Sequence, residues 1–325
     1  MIATMSRRAA VVALAAALAM LGSPTHAADK LRVGKAVQQN FGNLPLELGI
    51  KAGIFKNAGL DIESINFTGG AKVAQAIVAD SIDIGLSAGP DMAFTAKGAP
   101  QMAIATISDS TAFMSFSVAS QSTARGIDDL KGKKIGVTSP GSLTYWMVEE
   151  LNRVKGWTAE KDRAIAVAVG GSPPTAFAAL KTGQVDAYIG GLQVGYQLEE
   201  RKEGRTLFLL PEYVKSLELF VAFASTSSIQ RNPDAIRRFL KGWFDAVDYM
   251  KAHKDESVAV TVEALGFPSG IASRMYDDLM VAFSTDGKFR AEPLAKLADS
   301  LVDLGSLDKS VDMSKLYTEQ YLPKR

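Results

Sequence analysis

Asp61-Ile62-Glu63-Ser64-Ile65-Asn66-Phe67-Thr68-Gly69-Gly70 alternates apolar and polar residues with a period of two and then breaks on a glycine pair, the pattern of a strand ending in a tight turn. Upstream, Leu31-Arg32-Val33-Gly34-Lys35-Ala36-Val37 reads as another strand. Asn43-Leu44-Pro45 then supplies a cap and an early proline for a helix carrying Leu44, Leu48 and Ala52, closed by Gly59. Downstream, Val73, Ala76, Ile77 and Val78 recur at helical spacing, and Ile82-Asp83-Ile84-Gly85-Leu86 is a third strand. About 103 positions later the order returns: strand Lys134 to Val137, helix Leu143 to Val154, Gly156, strand Ile165 to Val169, Gly170-Gly171, helix Thr175 to Lys181 and strand Val185 to Ile189. Each third strand carries an Asp, Asp83 or Asp186. Strands alternating with helices predict parallel α/β sheets, here two similar lobes with one sheet each.

Between the modules, Thr123 to Lys133 is polar surface, and the strand Phe113 to Val118 is the candidate for carrying the chain from one lobe to the other. Leu217-Glu218-Leu219-Phe220-Val221-Ala222-Phe223-Ala224 is the candidate return. Beyond it, Asn232-Pro233 opens a helix whose stripe of Ile236, Phe239, Leu240, Trp243, Phe244, Val247 and Met250 reads as core. The predicted organisation is a signal peptide at 1–27, lobe I at 28–117 with 222–325, and lobe II at 118–221.

That signal peptide rests on Ser6-Arg7-Arg8, an apolar run from Ala9 to Leu21 and a small-residue end, with cleavage after Ala27. The run is well short of the roughly 20 residues a spanning helix needs. Ser6-Arg7-Arg8 leaves twin-arginine export open beside the general route. Removing it takes away two Arg and no acid, turning a formal charge of +1 into about −1, which gives no basic excess for nucleic acid. There is no cysteine, hence no disulfide framework and no lipid anchor at a mature N-terminus. The composition, 47% hydrophobic and 22% charged, is that of an ordinary globular protein. These features predict a monomeric protein free in the periplasm, without metal or cofactor.

In open α/β sheets ligands meet the loops after the carboxyl ends of the strands. Those loops hold the candidate ligand contacts: Gln39, Asn40 and Phe41; Thr68, Gly69 and Gly70; Ala88, Gly89 and Asp91; Ser139, Gly141, Ser142, Leu143 and Thr144; Ser172 and Thr175; Gly191 and Gln193. Glycine lets backbone N–H groups approach a ligand, and neutral Ser, Thr, Gln and Asn donate without charge. Most of these loops open a helix, whose N-terminus favours an anion, so a small polar or anionic solute is expected. The same residues also serve as helix caps and turns. Phe41, Tyr145, Trp146 and Phe220 are ring-stacking candidates, although aromatics near strand ends are more often packing.

Leu31 to Gly34, the run Leu48 to Ile62, Gly69-Gly70, Asp80 to Gly85 and Asp129 to Val137 resemble the periplasmic nitrate, sulfonate and taurine binding proteins. That superfamily also holds the NMT1/THI5-like thiamine-pyrimidine binders. The resemblance implies a type II periplasmic binding fold: two α/β lobes joined by a hinge, closing on a solute in the cleft and read by the membrane permease and ATPase of an ABC transporter. It also implies pocket roles for the loop after the first strand and for Thr68 to Gly70, Ser87 to Asp91 and Ser139 to Thr144. Gly190-Gly191 departs from the larger residues of the pattern. A related reading makes the same bilobed protein the ligand-sensing subunit of a membrane receptor.

The rival enzyme reading is a serine hydrolase. Gly85-Leu86-Ser87-Ala88-Gly89 fits the G-x-S-x-G elbow between a strand and a helix. Its base would have to be His253, the one histidine after the signal, which sits among Lys251, Lys254, Asp255 and Glu256 as a solvated residue would. The fungal pyrimidine-precursor synthases of the superfamily use a reactive histidine and a cysteine cluster, for which this chain has no matching residues. The expectation is a binding protein and not an enzyme.

Overall fold

The computed structural model describes residues 28–303 and 305–324; the signal-peptide reading at 1–27 lies outside them. In chain order the first module comprises β1 (Asp29–Lys35), α1 (Leu44–Lys51), α2 (Ile54–Asn57), β2 (Leu60–Asn66), α3 (Gly70–Val78), β3 (Ile84–Ala88), α4 (Met92–Ala96) and β4 (Gln101–Ser110). The second comprises β5 (Met114–Ala119), β6 (Lys134–Val137), α5 (Leu143–Lys155), β7 (Ile165–Ala168), α6 (Pro173–Lys181), β8 (Ala187–Gly191), α7 (Leu192–Glu200) and β9 (Gly204–Leu209). The chain returns on β10 (Ser216–Ser225) and ends in α8 (Thr226–Arg231), α9 (Pro233–Ala252), α10 (Lys254–Leu265), α11 (Ser269–Leu279) and α12 (Ala291–Asp303).

The sheets have matching orders, β2-β1-β3-β10-β4 and β7-β6-β8-β5-β9. In each, the three strands of the sequence repeat pair in parallel, β1 with β2 and β3, β6 with β7 and β8. Beside the third strand lies one from the opposite half of the chain, antiparallel to both neighbours. The sheets are therefore mixed, where the strand-helix alternation predicted parallel ones. Antiparallel insertion brings the chain into the other sheet without the helical crossover that parallel neighbours require.

The repeated aspartates explain the matching registers. Asp83 accepts the backbone N–H of Arg32 at 2.9 Å, and Asp186 accepts that of Lys134 at 2.9 Å, so each carboxylate ties the start of the third strand to the first strand of its module.

Sheet membership also moves the lobe boundaries. The divisions after Ser117 and Val221 fall inside β5 and β10, yet β5 lies in the second sheet and β10 in the first. A strand is held by its neighbours along its length, so the chain crosses earlier in both directions, at Thr111–Phe113 and across 210–215. The Thr111 hydroxyl donates to the Val214 carbonyl, and Phe113 packs on Phe220 and Phe283 at 5.3 and 5.4 Å. The two crossings thus form one hinge.

The C-terminal helices buttress this frame. Asn232 caps α9 by accepting the Ala235 N–H at 3.0 Å, and Pro233 stands in its first turn. All seven residues of the predicted stripe are buried, each contributing about 1.5 to 3 kcal/mol relative to exposure. Helix α11 reaches lobe II, where Arg274 donates to Glu199 at 2.7 Å and lies 3.6 Å over the Tyr196 ring. Among the described residues no helix is long and apolar enough to cross a membrane.

Candidate ligand-binding cleft

The carboxyl edges of β1, β2 and β3 belong to lobe I and those of β6, β7 and β8 to lobe II. One bond joins candidate residues of the two faces: Gln193 Nε2 donates to the Gln39 carbonyl at 3.2 Å.

On lobe I the three loops knit together. The Gly69 N–H, at φ 105°, donates to the Ala36 carbonyl at 2.7 Å, while Thr68 stays exposed. Asn40 caps a short 3₁₀ turn by accepting the Gly42 N–H at 2.9 Å. Asp91 lies across from Gly70 so closely that a Cβ on Gly70 would collide with its carboxylate. One oxygen, Oδ2, accepts from the Ser87 hydroxyl and from the Ala88 N–H at 3.3 Å. Burial pushes this carboxyl up to about 6, against the pull of those two donors. Gly89 has no room for a side chain because the Glu218 carbonyl lies against it.

On lobe II the contacts are neutral. Ser142 caps α5, accepting the Tyr145 N–H at 3.3 Å and donating to the Ser139 carbonyl at 2.7 Å. Thr144 is buried and accepts the Thr138 N–H at 2.9 Å. Its hydroxyl staples the loop from within, with its oxygen 3.0 Å from that of Ser142. Ser139 and Gly141 are exposed, Gly141 at φ 70°, and Leu143, partly buried, opens the helix. Ser172 and Thr175 are exposed and bonded to each other, and Thr175 donates to the Ser172 carbonyl at 2.8 Å. Pro173 and Pro174 remove two N–H groups from the first turn of α6. That helix end is a poorer anion site than its position suggested, which leaves α5 with the better one. Gly191 is the N-cap of α7, two residues before Gln193.

The aromatic candidates resolve toward packing. Phe41 is 1% exposed and lies 6.0 Å from Phe283, in the hinge cluster with Phe113 and Phe220. Trp146 is buried, and Tyr145 packs against the core. The elbow reading gains no support. Ser87 lies inside β3, one residue before its end, without the left-handed strain such a turn imposes, and its hydroxyl donates to Asp91. His253 is exposed at the end of α9, its Nδ1 2.8 Å from the Tyr249 carbonyl and its ring stacked 3.7 Å from Tyr249.

Sequence reasoning passed over Glu218, a fully buried carboxylate in the returning strand. Thr106 donates to its Oε2 at 2.8 Å, Oε1 has no partner, and burial pushes it up to about 7. A charged residue between Leu217 and Leu219 in an apolar run was the available signal.

The family model described as NMT1/THI5 like matches residues 40–257. The chain belongs to that family. Over 325 residues this NMT1/THI5-like protein is 24% identical to a Brucella abortus protein that carries a binding-protein name, covering 97% of this chain and 98% of the relative. It is 26% identical over 223 residues to a 4-amino-5-hydroxymethyl-2-methylpyrimidine phosphate synthase of Saccharomyces cerevisiae, 65% of this chain and 64% of that one. The periplasmic aliphatic sulphonate binding protein SsuA of Escherichia coli superposes with a TM-score of 0.73 at 19% identity, covering 90% of this chain and 99% of that one. At that identity the likeness is of fold, and the fold is that of the periplasmic binding proteins.

Proposed function

We propose that this protein is the solute-binding component of an ABC-type uptake system. It is exported to the periplasm, acts there as a monomer and delivers a small polar organic solute to a membrane permease and its ATPase. The observation that carries the reading is the architecture: two sheets of matching strand order, joined by two chain crossings, with loops rich in Gly, Ser, Thr and Gln after the strands of each repeat. An anionic group of the solute would sit at the N-terminus of α5, whose first-turn N–H groups have no intrahelical partner, the Tyr145 N–H being taken by the Ser142 cap. The relatives named for binding point the same way, and the yeast relative adds pyrimidines to the solutes worth testing.

A thermal-shift screen of the purified protein against alkanesulfonates, taurine, nitrate, aromatic carboxylates and pyrimidines tests this, with an ester substrate assayed alongside. A ligand at a hundred times its dissociation constant adds about 2.7 kcal/mol to stability. A raised melting temperature with one class and no turnover is the expected result. No shift with any class, together with ester hydrolysis abolished in Ser87→Ala, would overturn it.

A further inference from the structure

The six cleft segments, 36–43, 67–71, 88–91, 138–145, 170–175 and 190–193, contain one charged residue, Asp91. Its Oδ2 is held by Ser87 and by the Ala88 N–H. Both bonds fall on that one oxygen, no described residue is seen to donate to Oδ1, and the residue keeps partial exposure. No Lys or Arg pairs with it among the described residues, although Lys35 of the same lobe is engaged with Glu47. The carboxylate lies against Gly70, the first residue of α3, so the helix end that would otherwise attract an anion in lobe I is already faced by the protein's own negative charge. A half-buried carboxylate that no Lys or Arg pairs with can take a donor that a ligand supplies.

We infer that Asp91 determines specificity by receiving a cationic or N–H-rich group of the solute at the lobe I face of the cleft. This rests on the solute-binding reading and narrows it. A bare oxyanion is disfavoured, because it would place a second negative charge beside Asp91. The preferred solute carries nitrogen donors at one end and an acceptor or anionic group at the other, the latter facing the neutral donors of lobe II.

Asp91 also closes a local turn through Ser87 and Ala88, and the test must separate the two roles. Matched pairs serve as probes: ethanesulfonate with 2-aminoethanesulfonate, propionate with 3-aminopropionate, and 2-methylpyrimidine with 4-amino-2-methylpyrimidine. They are titrated calorimetrically into the purified protein and into Asp91→Asn, whose amide oxygen preserves the turn, with a thermal melt to check folding. In at least one pair the amino member is expected to bind about tenfold to a hundredfold more tightly, the range for a hydrogen bond to a charged group. The Asn variant removes that preference. Equal or tighter binding of the amine-free members to the wild type overturns the inference and leaves the solute-binding reading standing. So does a variant that weakens both members of a pair alike, since a merely structural role predicts that. Failure of every probe to bind counts against both.

Discussion

Lobe I and lobe II place the same aspartate at the same point of the same strand order and load it very differently. Asp83 accepts Arg32 through backbone and side chain at 2.9 Å, Ser228 at 2.6 Å and Arg231 at 3.1 Å, and its carboxylate is largely buried. Burial alone would raise it, but the Arg32 and Ser228 hydrogen bonds outweigh that and hold it below the usual carboxylate range. Asp186 is exposed and serves the Lys134 N–H. The cleft edges differ in the same sense: Asp91 on lobe I, hydroxyls and glycines on lobe II. The repeat fixes where strands go, and the residues around it decide what each lobe does.

Breaking the two aspartates in turn is the sharpest test of this comparison. Asp83→Ala leaves Arg32 and Arg231 without their shared anion and is expected to cost about 3 to 4 kcal/mol in denaturant unfolding, near the lower end for a broken buried pair. Equal losses from Asp83→Ala and Asp186→Ala would mean that the extra partners of Asp83 contribute nothing.

The lobes should also part on pH. Glu218, folded near 7, and Asp91, folded near 6, both bind protons more tightly in the native state than in the unfolded chain. Their contribution is complete below the unfolded carboxyl range and is lost as pH rises through 6 and 7. For Glu218 the loss is up to about 3 kcal/mol at 1.36 kcal/mol per pH unit. Melting temperatures followed from pH 5 to 8 should fall on this account, and Glu218→Gln should flatten the slope. A slope unchanged in that variant would place the titration elsewhere.

Ser142→Ala should cost about 1 kcal/mol of stability, the usual worth of an N-cap, and calorimetry with whichever solute the thermal-shift screen identifies reads any further loss of affinity. Smallest is Asp186→Ala, expected below about 1 kcal/mol in the same unfolding experiment, since its carboxylate is exposed and the backbone N–H it releases can turn to water.

Much of this frame was legible in the residues. β6 matches its predicted bounds, and the stripe from Ile236 to Met250 is buried throughout, because periodicity records which face an element must hide. The crossings were misplaced by several residues, since an apolar strand looks the same whichever sheet accepts it. The candidate loops could be read from strand order, but not what their side chains do: Thr144 spends its hydroxyl on Thr138, Phe41 packs into the hinge, and Pro173 and Pro174 silence the end of α6.

By itself the sequence determined the two-module α/β architecture, the loops that follow its strands and the resemblance to periplasmic binding proteins, all of which follow from local patterns of spacing and turn chemistry. Only the tertiary structure decided that the sheets are mixed, that Asp91 stands against Gly70 without a counter-charge, and that Glu218 is sealed in the returning strand. Those depend on which distant segments meet, and a carboxylate becomes unusual through its neighbours in space rather than its neighbours in the chain.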